Sequence, residues 1–128
     1  MDKTPAQVSA RILQHMLREA SKIYRTEIKD AVITVPANFD SVMCQATRDA
    51  AALAGIQVTN KDGSERPVLL SEPNAVIYDL INQVQNGEIS NHIIDLSSEK
   101  NVLVFDLGGG TWILRCTRLN VVRTVPTF

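Results

Sequence analysis

An acidic residue, three glycines and a threonine lie together in the stretch Asp106–Thr111, directly after the apolar run Asn101–Phe105. The run is short and rich in β-forming residues, which predicts a single buried strand that Asp106 ends. Glycine lacks a Cβ, so successive backbone N–H groups in such a turn can form a concave site for an anion. The groups available for this chemistry are the backbone of Gly108, Gly109 and Gly110, the hydroxyl of Thr111, and the Asp106 carboxylate, which can hold a hydrated Mg²⁺.

The same stretch has a second interpretation, a β-hairpin whose tight turn only requires glycine. Short motifs match by chance often enough that the stretch alone leaves both interpretations open. Two common nucleotide motifs are excluded, because the stretch lacks the Lys-Ser/Thr pair of a Walker A loop and the G-x-G-x-x-G spacing of the dinucleotide fingerprint.

The composition is typical of a globular domain. The chain has 128 residues, of which 45% are hydrophobic and 21% are charged, and its net charge is −1. This balance indicates neither a nucleic-acid partner nor an anionic membrane surface. Its two cysteines, Cys44 and Cys116, are too few for a disulfide scaffold, and no apolar run approaches the roughly 20 residues of a membrane span. The polar start is unlike a signal peptide, so we expect a cytoplasmic protein.

Helical and strand patterns alternate along the chain, which predicts an α/β fold with β-α-β connections. Thr4, Pro5 and Gln7 predict the capped start of a one-sided helix of about 20 residues. The near-continuous apolar stretch Asp30–Val35 predicts a strand buried on both faces, which Pro36 ends.

The middle of the chain repeats this order of elements. Asp40 or Ser41 is expected to cap an alanine-rich helix that Gly55 ends. Short strands are predicted over Ile56–Val58 and Pro67–Leu70, with a polar turn at 60–66 between them.

Glu72 lies where the last of these strands meets a helix with Pro73 in its first turn. In parallel α/β sheets, the carboxyl ends of the strands form the functional edge. Pro36, Glu72 and Asp106 each stand at the end of a predicted strand, so the three ends could converge on one cleft. A carboxylate at a helix start is also favoured by the helix dipole alone, which leaves a purely structural interpretation of Glu72 open.

The polar stretch 88–100 is the best candidate for a boundary between lobes, because it follows the helix end at Asn86-Gly87 and precedes the glycine-rich strand. We therefore predict part of a first lobe over residues 1–87, a linker or surface loop over 88–100, and the start of a second lobe over 101–128.

Four motifs in order resemble the nucleotide-binding domain of the seventy-kilodalton heat-shock chaperones of the DnaK type, over about residues 5–111. Four ordered motifs are far more specific than one glycine loop. The resemblance implies the actin-like ATPase fold, in which two lobes of ribonuclease-H-like α/β structure surround an ATP cleft. The motifs are Ala31–Ala37, Gln45–Ala50 with Ala54-Gly55, Glu72-Pro73 and Val104–Thr111.

The resemblance implies a role for each matching residue. Gly108–Thr111 look like the loop that meets the phosphates of ATP or ADP, and Asp106 looks like the carboxylate that fixes Mg²⁺ through water. Glu72 resembles the cleft glutamate that helps to set metal, water and the interdomain signal, so Glu72 and Asp106 are the catalytic candidates. Pro36 resembles the proline that couples nucleotide state to substrate release. Phosphoryl transfer to water depends mainly on positioning and charge neutralisation, which such groups can provide.

For the intact protein, the resemblance implies an ATPase that couples ATP hydrolysis to the binding and release of unfolded polypeptide. Its implied partners are unfolded clients, a J-domain co-chaperone and a nucleotide exchange factor. The alternatives are another actin-like ATPase, such as a sugar kinase or a filament protein, and a truncated piece without enzymatic activity. The family's first phosphate loop with its lysine is absent from this sequence, as is the adenosine-binding segment, so we expect the chain alone to be inactive.

Several positions depart from the family pattern. Cys44 stands where the family usually has arginine, and Asn38 stands where it has tyrosine; both of these family residues serve interdomain signalling. The polar turn Asn60–Arg66 looks like an insertion.

Residues 112–128 depart further, because the family continues after its glycine loop with an apolar residue and then an aspartate. Here Ile113 stands at the aspartate position. Trp112 is encoded by TGG and the Ile113 codon begins with AT, so reading one nucleotide earlier gives an apolar codon followed by GAT, which encodes aspartate. We favour a frameshift after Thr111 over genuine divergence, and the gene sequence across that codon distinguishes the two.

Overall fold

The computed structural model describes residues 4–90, 92–108 and 111–119. The chain divides into two compact units, Met1–Ser71 and Glu72–Phe128, while the lobe boundary expected at 88–100 stays a prediction. Its mixture of helices and strands agrees with the predicted α/β class. The elements in chain order are α1 (Pro5–Tyr24), β1 (Ile33–Val35), α2 (Ser41–Ala54), β2 (Leu69–Ser71), α3 (Glu72–Gln85), β3 (Lys100–Gly108) and β4 (Thr111–Leu119).

The start of α1 is held by the capping box that the sequence predicts. The backbone N–H of Gln7 donates to Thr4 Oγ1 at 3.3 Å, and the backbone N–H of Thr4 donates to Gln7 Oε1 at 3.1 Å. Pro5 occupies the first helical position, where its missing N–H costs nothing. The helix has the expected length of 20 residues. None of the described helices is long and apolar enough to cross a membrane.

Replacing Thr4 with alanine removes this cap and is expected to lower the free energy of unfolding by about 1 kcal/mol, because one backbone donor loses its partner. Urea denaturation followed by circular dichroism measures the change. Thr4→Ser keeps the hydroxyl and serves as the control. Equal stability of the alanine and serine variants would contradict a stabilising role for this cap.

The first unit is organised around a parallel strand pair. Ile33, Thr34 and Val35 of β1 pair in register with Leu69, Leu70 and Ser71 of β2, which confirms the predicted β-α-β connection through α2. The core next to this pair consists of Ala51, Ile56 and Val68, all at most 4% exposed. Helix α1 packs against α2, where Gln14 Nε2 donates to the Leu53 carbonyl at 2.9 Å.

Two predictions for the first unit need correction. The apolar stripe of α1 is only partly covered: Ala10 is buried, but Val8, Ile12 and Met16 are 47–60% exposed, because α2 contacts only part of the stripe. Strand β1 is also shorter than predicted, since Val32 lies outside it and is 64% exposed, and it is not buried on both faces, since Thr34 is exposed. In the described residues this sheet has only two strands.

The predicted strand over Ile56–Val58 is wrong for a local reason. Gly55 ends α2 with φ at 94°, a left-handed conformation that glycine adopts without steric cost. The N–H of Ile56 then donates to the Ala51 carbonyl at 3.0 Å, so Ile56 completes the helix cap and does not join a ladder.

The second unit combines α3 with an antiparallel hairpin formed by β3 and β4. Helix α3 packs on β3 and buries Pro73, Ile77 and Val84. Val76, another apolar residue of α3, is 56% exposed. Ile77 and Val84 follow Pro73 by four and eleven residues, which is the spacing of one helix face. The buried face of α3 therefore contains Ile77 and leaves its neighbour Val76 outside.

Candidate functional site

Asp106 lies inside β3 and does not end the strand, contrary to the prediction. β3 continues to Gly108, because Asp106 pairs with Ile113 and Leu107 pairs with Trp112 on β4. The sequence predicted the apolar part of the strand but could not show that the ladder continues through an acidic residue. That continuation depends on pairing with β4, which follows the glycine-rich turn and contains several polar residues.

Alternation along β3 places Asp106 on the same face as Val102 and Val104. Val104 is 8% exposed and lies on the strand that α3 contacts. Leu103, Phe105 and Leu107 occupy the opposite face and are 62–73% exposed. Asp106 therefore continues the covered face toward the turn, where it is exposed and its carboxylate can be reached by a ligand.

The charged side chains at the other end of the hairpin are paired, unlike Asp106. Lys100 Nζ lies 3.6 Å from Asp95 Oδ2, and Arg118 Nε lies 2.9 Å from Glu99 Oε1. The hydroxyl and N–H of Ser97 hold the pKa of Asp95 below its usual value. Within the described residues, the Asp106 carboxylate has neither an ion pair nor a hydrogen bond, so its oxygens are available to water and cations.

The hairpin register fixes where the glycine-rich turn begins and ends. Gly108 pairs with Thr111, so only Gly109 and Gly110 connect the strands, and both lie outside the described residues. The hairpin interpretation of this stretch is confirmed by the strand pairing. It does not exclude the anion-binding interpretation, because a hairpin turn can also direct backbone N–H groups toward a phosphate.

One position that the sequence reasoning did not connect with Asp106 is residue 113. The ladder pairs them directly across the hairpin. The signal was present in the sequence: a two-residue turn between Gly108 and Thr111 makes positions 106 and 113 opposite neighbours. Residues opposite each other in an antiparallel pair lie on the same face, with Cβ atoms about 4.5–5.5 Å apart.

Pro36 and Glu72 stand at strand ends, as predicted. Val35 pairs with Ser71, so β1 and β2 finish at the same edge of their sheet, and Pro36 and Glu72 are the next residues of the chain. Both are half-buried. Pro36 belongs to the first compact unit, whereas Glu72 and Asp106 belong to the second, so convergence of the three on one cleft stays a prediction.

The donor set around Asp106 fits a magnesium ion that is held mostly by water and phosphate. In the part of the chain that the structure describes, no group of three or more His, Cys, Asp or Glu side chains could enclose a metal. Mg²⁺ keeps several waters and commonly uses one or two carboxylates together with substrate phosphates. One accessible carboxylate beside a glycine-rich turn meets that requirement, whereas a protein-enclosed metal centre does not fit.

Comparison with known proteins identifies the family. The family model described as "Hsp70 protein" matches residues 2–121. The chain belongs to the Hsp70 family. The matched Hsp70 segment is part of a nucleotide-binding domain, which agrees with the resemblance found in the sequence. It continues past Thr111 to residue 121 and so includes β4.

Several relatives are chaperones with the same name. A "Chaperone protein HscA homolog" from Acinetobacter baylyi is 40% identical over 120 residues, which are 92% of this chain and 16% of that protein. The protein of that name from Azotobacter vinelandii is 42% identical over 121 residues, covering 91% and 16% of the two chains. The one from Shewanella putrefaciens is 39% identical over 118 residues, with the same shares. This Hsp70 chain thus spans 16% of the length of these relatives.

Proposed function

We propose that this chain supplies one phosphate-binding hairpin to the ATP site of an HscA-like Hsp70 chaperone. The observation that carries the proposal is the β3–β4 register, in which an accessible carboxylate at Asp106 lies two residues before the closing pair Gly108 and Thr111. Family membership supports it, because this segment belongs to a nucleotide-binding domain. The register supports the proposal, because it brings Asp106 to the same end of an antiparallel ladder as the closing pair.

In this proposal the hairpin neutralises charge on the nucleotide. The backbone N–H groups of Gly108–Gly110 and the hydroxyl of Thr111 bind the phosphates of ATP or ADP. The Asp106 carboxylate would hold Mg²⁺ through water, and the bound metal would supply charge neutralisation on the phosphate oxygens. Such preorganised donors stabilise the charge that develops during phosphoryl transfer.

Glu72 and Pro36 have supporting roles in the same proposal. Glu72, the first residue of α3, orients the attacking water with a carboxylate that is only half exposed. Pro36 transmits the nucleotide state, because it follows β1 directly and its fixed φ makes that junction stiff. The edge at which β1 and β2 both end supports these roles.

For the whole protein, we propose an ATPase cycle coupled to the binding and release of unfolded polypeptide. A J-domain co-chaperone and a nucleotide exchange factor are the proposed partners, and the cytoplasm is the proposed location. The names of the relatives favour an HscA-like member over other DnaK-type chaperones. Hsp70 family membership also favours this cycle over a sugar kinase or a filament-forming ATPase.

Titration of the 128-residue chain with ATP and Mg²⁺ tests how much of the site is present. We expect weak binding or none by isothermal calorimetry, because the family's first phosphate loop and adenosine-binding segment are absent from the sequence. The same titration of the full-length Azotobacter vinelandii relative is the control. Sub-micromolar affinity of the isolated chain would overturn the view that it holds only one side of the site.

A chimera tests whether the part of the ATP site that this chain supplies is functional. Residues 2–121 replace the matching segment of the full-length Azotobacter vinelandii protein, and Mg²⁺-dependent ATP hydrolysis is measured. We expect a measurable ATPase, lower than that of the parent. A folded chimera without any ATP binding would contradict the proposed function.

A further inference from the structure

The dipeptide Asn86-Gly87 directly follows Gln85, the last residue of α3, and nothing in the nucleotide chemistry uses it. Both of its residues are exposed. No other asparagine of the chain precedes a glycine. Because glycine has no Cβ, no side chain shields its backbone nitrogen from the side chain before it. The dipeptide thus places an amide carbonyl and an unshielded nitrogen on neighbouring residues.

The backbone at this end of α3 forms a glycine-terminated helix cap. The N–H of Glu88 donates to the Gln83 carbonyl at 2.9 Å, and the N–H of Gly87 donates to the Val84 carbonyl at 3.2 Å. These two bonds, with φ at 76° for Gly87, form a Schellman motif. The Gly87 N–H makes the longer of the two bonds and lies where helices fray, so local opening releases its nitrogen without unfolding the rest of the helix.

The side chain of Asn86 can turn toward that nitrogen. Within the described residues, its amide group forms no hydrogen bond that would fix its orientation. Asn82, one turn earlier in α3, precedes Gln83, and the N–H of Gln83 lies inside the helix. The two asparagines therefore share a helix but differ in the access of their side chains to the next backbone nitrogen.

Asp62, the only aspartate that precedes a glycine, is held differently. The hydroxyl and the N–H of Ser64 donate to Asp62 Oδ1 at 2.6 and 2.9 Å, and they hold the pKa of its carboxyl below the usual value. The N–H of Gly63 donates to the Asn60 carbonyl at 3.0 Å. An ionised carboxylate resists attack by a nucleophile, so we expect Asp62 to stay unchanged under conditions in which Asn86 reacts.

We propose that Asn86 is a site of spontaneous deamidation through a cyclic imide with Gly87. Hydroxide removes the proton from the Gly87 nitrogen, which then attacks Cγ of Asn86. The new N–Cγ bond forms as the Cγ–Nδ2 bond breaks, and Nδ2 takes a proton from water and leaves as ammonia. Water opens the ring at either carbonyl and gives aspartate or isoaspartate, in which the main chain runs through Cβ and Cγ. One water is consumed and one ammonia is released, with no oxidation or reduction.

Both products weaken the carboxyl-terminal end of α3. Each adds a negative charge at the negative end of the helix dipole, and the last turn of α3 has no basic residue to offset it. Isoaspartate also adds a methylene to the main chain between residues 86 and 87, so the two bonds of the cap cannot both keep their geometry. Val84, which α3 buries, lies in this last turn. The modification therefore loosens the helix end, and a molecule acquires it only with time.

Peptide mapping by mass spectrometry, on the 128-residue chain incubated in mildly alkaline buffer, tests the proposal. We expect Asn86 to convert from amide to acid, at a rate that rises with pH, while Asn82 stays unchanged. Part of the product should be a substrate for an isoaspartyl methyltransferase. Asn86→Gln keeps an amide but requires a larger ring, so it should react at least about tenfold more slowly. An unmodified Asn86, or equal rates at Asn86 and Asn82, would overturn the proposal.

Hydrogen exchange measures the consequence for α3. In the modified chain, the amides of residues 83–89 should exchange at least about threefold faster, while those of α1 should be unchanged. Asn86→Asp has the charge without the inserted methylene, so it should produce a smaller increase. Unchanged exchange at the end of α3 would overturn the loosening of the helix. Circular dichroism of both Asn86 variants confirms that they fold.

The chimera with the full-length Azotobacter vinelandii relative tests the same site in a complete protein. The reacting groups belong to adjacent residues, so we expect Asn86 to deamidate in the chimera within about threefold of its rate in the 128-residue chain. Protection of Asn86 in the folded chimera would overturn the site for the intact protein. No nucleotide takes part in the reaction, so this result is independent of the proposed ATPase.

Discussion

Asp106→Ala in the full-length chimera is expected to lower kcat for ATP hydrolysis roughly 100-fold, because the proposed Mg²⁺ loses the carboxylate that orients its water shell. Asp106 is exposed and unpaired within the described residues, so little stabilising contact is lost. The free energy of unfolding should accordingly change by less than about 0.5 kcal/mol. A loss of turnover without a loss of stability identifies a functional carboxylate.

Two further variants test whether the loss of turnover comes from the charge and the position of Asp106. Asp106→Asn keeps the shape of the side chain but removes its charge, so it should match alanine if the charge is what holds the metal. Glu99→Ala removes a carboxylate at the other end of the same hairpin, where it pairs with Arg118 at 2.9 Å, and should leave kcat within about twofold. Raising the Mg²⁺ concentration should partly restore nucleotide affinity in the Asp106 variants. Full activity of Asp106→Ala would remove Asp106 from the site.

Local signals in the sequence were sufficient for the helices. Thr4 with Gln7 and Asp40 with its following turn are side-chain caps, and both hydrogen-bond the first helical turn in the structure, at 3.3 Å for Thr4 and 2.8 Å for Asp40. Capping involves residues within four positions of each other, so the sequence contains all of the relevant information. Gly55 at the end of α2 was predictable for the same reason.

Strand ends were harder, because they depend on partners that a local pattern does not reveal. The pattern predicts a strand at Ile56, although the N–H of Ile56 completes the cap of α2. Asp106 was placed at the end of a strand, although pairing with Ile113 continues the ladder to Gly108. In both cases a non-local or competing hydrogen bond decides the backbone, and the polarity pattern alone cannot predict it.

The candidate site shows the same difference between what local sequence predicts and what depends on distant partners. The residue types at Asp106 and in the glycine turn were enough to predict phosphate chemistry, because those groups adjoin in sequence. The opposition of positions 106 and 113 required the register, which only pairing establishes. Where Pro36 and Glu72 lie relative to Asp106 depends on contacts between separate compact units, and no periodicity within one segment encodes such contacts.

Ile113→Asp is expected to have the opposite effect and to raise the Mg²⁺-dependent ATPase of the chimera about tenfold. The register puts position 113 opposite Asp106, and opposed residues of an antiparallel pair have Cβ atoms about 5 Å apart, so aspartate here would add a second carboxylate close to the first. Two neighbouring carboxylates bind a divalent cation more tightly than one. Without a cation they repel, so we expect the variant to be less stable in EDTA than in Mg²⁺, as measured by thermal unfolding.

Ile113→Asn is the matched control, because it introduces a polar side chain of the same size without the charge. It should show neither the gain in ATPase nor the stabilisation by Mg²⁺. The aspartate that this variant introduces is also the residue that reading one nucleotide earlier would encode at this position. A gain with aspartate alone would mean that β3 retains one half of a hairpin metal site, which Ile113 on β4 does not complete. An unchanged Mg²⁺ response would instead show that position 113 does not belong to the metal site.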